Sequence, residues 1–194
     1  MLACGTFVGA NAIGIVWLTF ALKYGTDEAG FSRGTMLAIT VAACPVWMIG
    51  MAVSAYYSDV WTRRGVYLLA AIFLLVVCLA FFAALDSSSL PLAVIATLVL
   101  AFALGAAAGP QSALFAELFP PNVRYSGASL AYQAGAILGG GIAPFIATAL
   151  FSGTGTSAAI TVYFLVVALI SAVSIVLLKT DAQGRPLGGL RRAG

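Results

Sequence analysis

Glu117 and Arg124 flank the short segment Leu-Phe-Pro-Pro-Asn-Val, and Asp59, Arg63 and Arg64 cluster around Val-Trp-Thr; both groups sit between long apolar runs. Acids and bases so placed can make and break ion pairs at partly hydrated helix ends, where each pair is worth only about 0.2–1 kcal/mol. Bond-making chemistry has no comparable residue set. The chain has no histidine, and its apolar runs hold no Asp, Glu, Lys or Arg. The paired acids, nucleophile–base pairs and metal ligands of an intramembrane hydrolase are therefore missing, and no enzyme activity is expected. Cys4, Cys44 and Cys78 lie in separate runs without Cys-x-x-Cys spacing, so they read as small packing residues and imply no metal or cofactor. An ion channel is disfavoured as well, because the sequence offers neither a ring-forming acidic span nor a filter-like loop between helices.

The elements that position these charges are membrane helices. With 62% hydrophobic and 8% charged residues over 194 positions, the chain has too little polar surface to cover a water-soluble globule. Six apolar runs match the hydrocarbon thickness of a bilayer, at about 2–22, 35–57, 66–85, 92–115, 128–151 and 158–178. The third run holds thirteen Val, Leu, Ile or Phe residues, which favour insertion by about 4–8 kcal/mol. The first is longer than a signal-peptide core, contains Asn11 and Trp17, and reads as a retained span. A six-helix domain over 1–179 is thus expected, followed by a disordered tail over 180–194 that has almost nothing to bury.

Arg63, Arg64, Arg124, Lys179, Arg185, Arg191 and Arg192 fall on one side of a six-span arrangement, leaving Lys23 and Arg33 opposite. Short basic loops stay in the cytoplasm, which places that side and both termini there. The same distribution accounts for the formal charge of +3, so the basic excess does not point to a nucleic-acid partner.

The spans repeat in character. The first and fourth each hold a Gly-x-x-x-Gly pair, Gly5 with Gly9 and Gly105 with Gly109, together with a carboxamide, Asn11 or Gln111. The second and fifth each hold one internal proline, Pro45 or Pro144; the third and sixth hold neither Gly nor Pro and are expected at the lipid-facing periphery. Three spans followed by three of the same character must be inverted relative to each other, because an odd number of crossings separates them. The expected fold is an all-α, polytopic membrane protein with a 3+3 inverted repeat.

Residues 105–148 run from Gly109-Pro-Gln, through Glu117-Leu-Phe-Pro120 and Val-Arg124-Tyr-Ser-Gly127, to Gly139-Gly-Gly-Ile-Ala-Pro-Phe-Ile-Ala-Thr148. This stretch closely resembles the tenth and eleventh helices of the metabolite:proton symporter family of the major facilitator superfamily, and the resemblance extends more weakly over all six spans. That family includes transporters for shikimate, proline and betaine, and 2-oxoglutarate. The loop after the second span is similar to the superfamily's acidic and doubly basic signature at Asp59, Arg63 and Arg64, but has Val60 where a base is usual and Thr62 where Gly is usual.

The resemblance implies proton symport of a small polar metabolite, an organic acid or a zwitterion, across a bacterial cytoplasmic membrane by alternating access. It implies a cytoplasmic gate in which Glu117 pairs with Arg63 or Arg64 and Arg124 pairs with Asp59. Substrate contacts on this half would come from Asn11, Gln111, Tyr132 and Gln133, with Gly105, Gly109, Gly135 and Gly139 as close-packing positions and Pro144 allowing a bend. Because the spans lack an ionisable group, proton coupling would belong to six further helices, making this chain the C-terminal half of a longer transporter. The alternative is a non-transporting six-span protein, either a remnant or a packing or regulatory subunit.

Overall fold

The structure, a computed structural model, describes residues 2–178. Among them, six helices are long and apolar enough to cross a bilayer: α1 (Cys4–Asp27), α2 (Arg33–Val60), α3 (Arg63–Asp86), α4 (Leu90–Leu118), α5 (Arg124–Thr154) and α6 (Ser157–Leu177). No strand occurs among the described residues, in keeping with the all-α class. Helices α2 to α5 outrun their apolar stretches at both ends, because hydrocarbon thickness limits the apolar run and not the backbone ladder. The starts are fixed locally. Ser32 accepts from the Thr35 N–H and Thr62 from the Gly65 N–H, each at 3.1 Å, and Pro91 occupies the first turn of α4. Gly155, at φ +66°, ends α5 by donating its N–H to the Phe151 carbonyl at 2.8 Å. The expected tail over 180–194, with Lys179 before it, lies outside the described residues.

Three of the helices are interrupted. α1 passes through a π turn at Trp17–Ala21, where the Thr19 hydroxyl donates back to the Ile15 carbonyl at 2.7 Å. α4 breaks at Gly109 and Pro110, between the segments Leu90–Ala108 and Gln111–Leu118. α5 has a second π turn at Ile137–Gly141, just before Pro144. Pro144 supplies no N–H, and its ring crowds the carbonyl of Gly140; a widened turn there relieves the clash. Pro45, by contrast, sits inside an uninterrupted α2.

Packing makes the repeat visible. α2 lies on α4, α4 on α3, α3 on α6, α6 on α1, and α1 on α5. Exchanging α1 with α4, α2 with α5 and α3 with α6 turns this series into itself, as an inverted 3+3 repeat requires. Glycines set two equivalent seams. A Cβ on Gly105 would stand 3.0 Å from the Met51 amide nitrogen, and one on Gly109 2.5 Å from the Met51 carbonyl oxygen, so the backbone of α4 rests on α2. At the mirrored seam, a Cβ on Gly139 would stand 2.5 Å from the Val8 carbonyl oxygen, and one on Gly135 3.2 Å from that of Cys4, so α5 rests on α1.

α3 and α6 bury one face each, including Leu74, Cys78, Phe81 and Phe82 on α3 and Ile160, Phe164 and Val167 on α6. Their other faces turn Ile72, Val76, Leu79, Val166 and Ile170 outward, as a lipid-facing position requires. α2 and α5 are nevertheless the less enclosed pair: Val41 is 67%, Met48 69%, Leu130 71% and Phe145 76% exposed. The main core gathers Phe20, Tyr24, Phe81, Phe82 and Phe164 toward the end where α1 and α3 finish. Smaller clusters, around Tyr67, Leu114 and Ile175 and around Phe7, Phe115 and Ala131, lie toward the paired arginines.

Candidate gate and transport pathway

Three helix ends meet on Arg63. Asp59 lies at the C-terminal end of α2, Glu117 in the last turn of α4, and Arg63 is the first residue of α3, started by the Thr62 cap. The Arg63 guanidinium is 2.7 Å from Glu117 through Nε and 3.0 Å from Asp59 through Nη2. Each charge opposes the dipole of its own helix, a carboxylate at a C-terminus or a cation at an N-terminus, so the pairing offsets three local penalties at once. The side chains remain partly exposed, 29% for Arg63, 44% for Glu117 and 67% for Asp59. These are therefore weak, openable pairs.

Arg64 does different work. Its Nε donates to the Ile175 carbonyl at 3.1 Å and its Nη2 to that of Val176 at 2.6 Å, satisfying the free carbonyls at the end of α6. Of the two arginines expected as partners for Glu117, the structure brings Arg63 to it. The expected Arg124–Asp59 pair does not form. Asp59 is taken by Arg63 across one tight turn, whereas Arg124 opens α5, whose main neighbour is α1 rather than α2. The Arg124 Nε is buried without a hydrogen-bond partner among the described residues.

The four expected pathway residues fall into two places. Asn11 donates through Nδ2 to the Ala136 carbonyl at 3.2 Å, tying α1 to α5. Tyr132 is half-exposed and packs on Phe7 with ring centroids 4.1 Å apart, and Gln133 is exposed on the same helix. Asn11 and Tyr132 thus share the α1–α5 seam, while for Gln133 the structure shows only an exposed place on α5. Gln111 lies inside the bundle, 6% exposed, with its Nε2 lacking a hydrogen-bond partner among the described residues. Beside it Tyr67 donates to the Thr6 carbonyl, which places Gln111 at the junction of α1, α3 and α4.

One polar cluster escapes the sequence reading. At the opposite end of the bundle, Asp86 closes α3 and accepts from the Tyr24 hydroxyl at 2.5 Å and from the Ser157 hydroxyl at 2.7 Å. In the sequence Asp86 is a lone acid before Ser-Ser-Ser and reads as loop solvation. Its available signal was that it is the one acid directly ending an apolar run that has no base nearby.

The family profile described as the Major Facilitator Superfamily matches residues 2–191. The chain belongs to the Major Facilitator Superfamily. Within it, the chain is similar to the shikimate transporter of Escherichia coli strain K12, 35% identical over 168 residues that cover 84% of this chain and 38% of that protein. It is also similar to the proline/betaine transporter of the same strain, 26% identical over 190 residues covering 97% of this chain and 38% of that one. These relatives bear out the resemblance to the metabolite:proton symporter family. The facilitator fold is matched by the xylose transporter XylE of E. coli in its inward-open conformation, with a TM-score of 0.67 at 14% identity over 94% of this chain and 47% of that one. The chain spans well under half the length of the curated relatives it matches. As a facilitator with six membrane-crossing helices and bacterial transporters for relatives, it is a multi-pass inner-membrane protein of a small-metabolite transporter family.

Proposed function

We propose that this chain acts in proton-coupled symport of a small polar metabolite, an organic acid or a zwitterion, as the C-terminal half of an alternating-access transporter. The observation that carries the reading is Arg63, shared between the carboxylates of Glu117 and Asp59 at the junction of α2, α3 and α4. Weak pairs that cross helix ends can separate and re-form as a cavity opens and closes, at little energetic cost in either direction. The paired-arginine face is cytoplasmic in this reading, because short loops rich in Arg and Lys remain inside. The second, N-terminal half would cover the apolar faces that α2 and α5 leave open, such as Met48 and Phe145.

Coupling to protons requires an ionisable group at membrane depth, and the apolar runs of this chain contain no Asp, Glu, His, Lys or Arg. The partner half supplies it in this proposal. Substrate class follows from relatives named for shikimate and for proline and betaine. On this half, Tyr132 and Gln133 supply neutral polar contacts along α5. The test is radiolabelled uptake by cells expressing the intact reading frame, offered shikimate, proline, betaine and 2-oxoglutarate, with and without an uncoupler. Accumulation of one of them that collapses with the proton gradient is expected. Uptake that persists undiminished after uncoupling overturns symport, and no uptake of any small acid or zwitterion overturns the transport reading.

A further inference from the structure

The Asp86 cluster is built with more care than a solvated loop acid requires. Tyr24 is almost fully buried, walled by Phe20, Phe82 and Phe151 at ring-centroid distances of 6.0, 5.6 and 5.4 Å, and its hydroxyl meets Asp86. The carboxylate uses its two oxygens on two different helices, Oδ1 on Tyr24 near the end of α1 and Oδ2 on Ser157 at the start of α6. As the last residue of α3 it opposes that helix's dipole, but its bond to Ser157 sets it against the positive end of α6, which compensates.

The arginine face repeats this design with the chemistry reversed. There Arg63 holds Glu117 at the end of α4, while Arg64 holds the carbonyls of Ile175 and Val176 at the end of α6. Under the exchange of α1 with α4 and α3 with α6, the three helix ends tied by Asp86 map onto those tied by the two arginines. Only one of the two ties carries ion pairs. The Asp86 tie consists of hydrogen bonds to a buried ring and a hydroxyl, and just inboard of it α1 loosens into the π turn at Trp17–Ala21.

We propose that Asp86 is a positioning residue for transport: with Tyr24 and Ser157 it staples the ends of α1, α3 and α6 into one body that stays closed through the cycle, so that α1 bends at Trp17–Ala21. The inference rests on the transport reading for its role and on geometry alone for the staple itself. Interhelical hydrogen bonds of this kind act as glue in membrane bundles, and groups that act as one unit give non-additive substitutions.

Two measurements on the intact reading frame test it. In detergent-solubilised protein, Tyr24→Phe and Asp86→Asn each lower the apparent Tm by about 2–4 °C, and the double variant loses no more than the larger single loss. Losses that add overturn the staple. Ser157→Ala, the mildest change, gives a smaller loss and keeps the cycle readable if Asp86→Asn does not fold. In the second arm, Asp86→Cys and Ser157→Cys are joined by a short reducible cross-linker in a background where Cys4, Cys44 and Cys78 are replaced by alanine. Uptake after cross-linking equal to that of the same variant before it supports a tie that stays closed. Uptake lost on cross-linking and restored by reduction overturns it, since the joint then has to open. If the intact protein takes up no metabolite, the transport reading fails and the positional role with it, while the Tm cycle still decides whether the staple exists.

Discussion

Arg63 serves two carboxylates from one guanidinium, at 2.7 Å and 3.0 Å, and that sharing makes the contact both specific and weak. Specificity comes from geometry, since Nε and Nη2 point at acids on different helices; weakness comes from exposure to solvent. Reversing one member therefore does more than remove a bond. Glu117→Arg sets two cations side by side and is expected to lower the initial uptake rate several-fold, and Arg63→Glu gathers three carboxylates with the same result. Combining the two restores the opposite-charge pair and should recover most of the lost rate, because the remaining cost is about 1 kcal/mol or less. A double variant no better than either single one, measured at equal protein in the membrane, overturns the proposed gate pairing of Arg63 with Glu117. Arg64 predicts a contrasting pattern: bonded to the Ile175 and Val176 carbonyls, it should give a stability loss in Arg64→Ala that no acidic partner substitution repairs. The apparent Tm of the purified protein reads this, and a rescue by any charge reversal would contradict the carbonyl contact.

Helices, as elements, were legible wherever hydrophobic length and punctuation agree. Six runs of bilayer length gave six helices, and Pro144 marked the bend in α5; the break of α4 at Gly109 and Pro110 was not read from the sequence, where Pro45, inside an unbroken α2, shows that a proline alone does not decide it. The π turn of α1 was not legible: no proline marks it, and Thr19 becomes a breaker only through its bond to the Ile15 carbonyl. Nor could spacing decide between Arg63 and Arg64, since adjacent residues point about 100° apart on a helix and only the packed bundle fixes which meets Glu117. Asp86 went unnoticed for a related reason, its partners being far away in sequence on α1 and α6. The glycine seams also carry a prediction at this scale. Gly105→Leu drives a side chain into the Trp47 and Met51 backbone and must push α4 off α2, at a cost of about 1–3 kcal/mol or more. A clear fall in apparent Tm is expected, whereas Gly141→Leu, with open space around its Cβ position, should leave Tm nearly unchanged. Equal losses at the two sites would show that close approach is not what these glycines provide.

For the whole molecule, the twofold relation among six helices constrains where every charge can lie relative to the bilayer. The loops α2–α3 and α4–α5 share one face, and the loops α1–α2, α3–α4 and α5–α6 share the other, because each helix crosses once. The first face carries Arg63, Arg64 and Arg124, and the second carries Asp86 with Lys23 and Arg33, the bias behind the proposal that the arginine face is cytoplasmic. Under that proposal the ion-paired tie faces the cytoplasm and the hydrogen-bonded one faces outward. Single cysteines at exposed loop sites read this directly. Ser88→Cys, in the α3–α4 loop, should react with a membrane-impermeant thiol reagent on intact cells, and Asn122→Cys, in the α4–α5 loop, only after the membrane is opened. Labelling of both from outside would contradict the six-crossing arrangement. The reverse order, Asn122→Cys from outside and Ser88→Cys only after opening, would keep the fold but turn it over, moving Arg63 to the outer surface and overturning the proposed cytoplasmic gate.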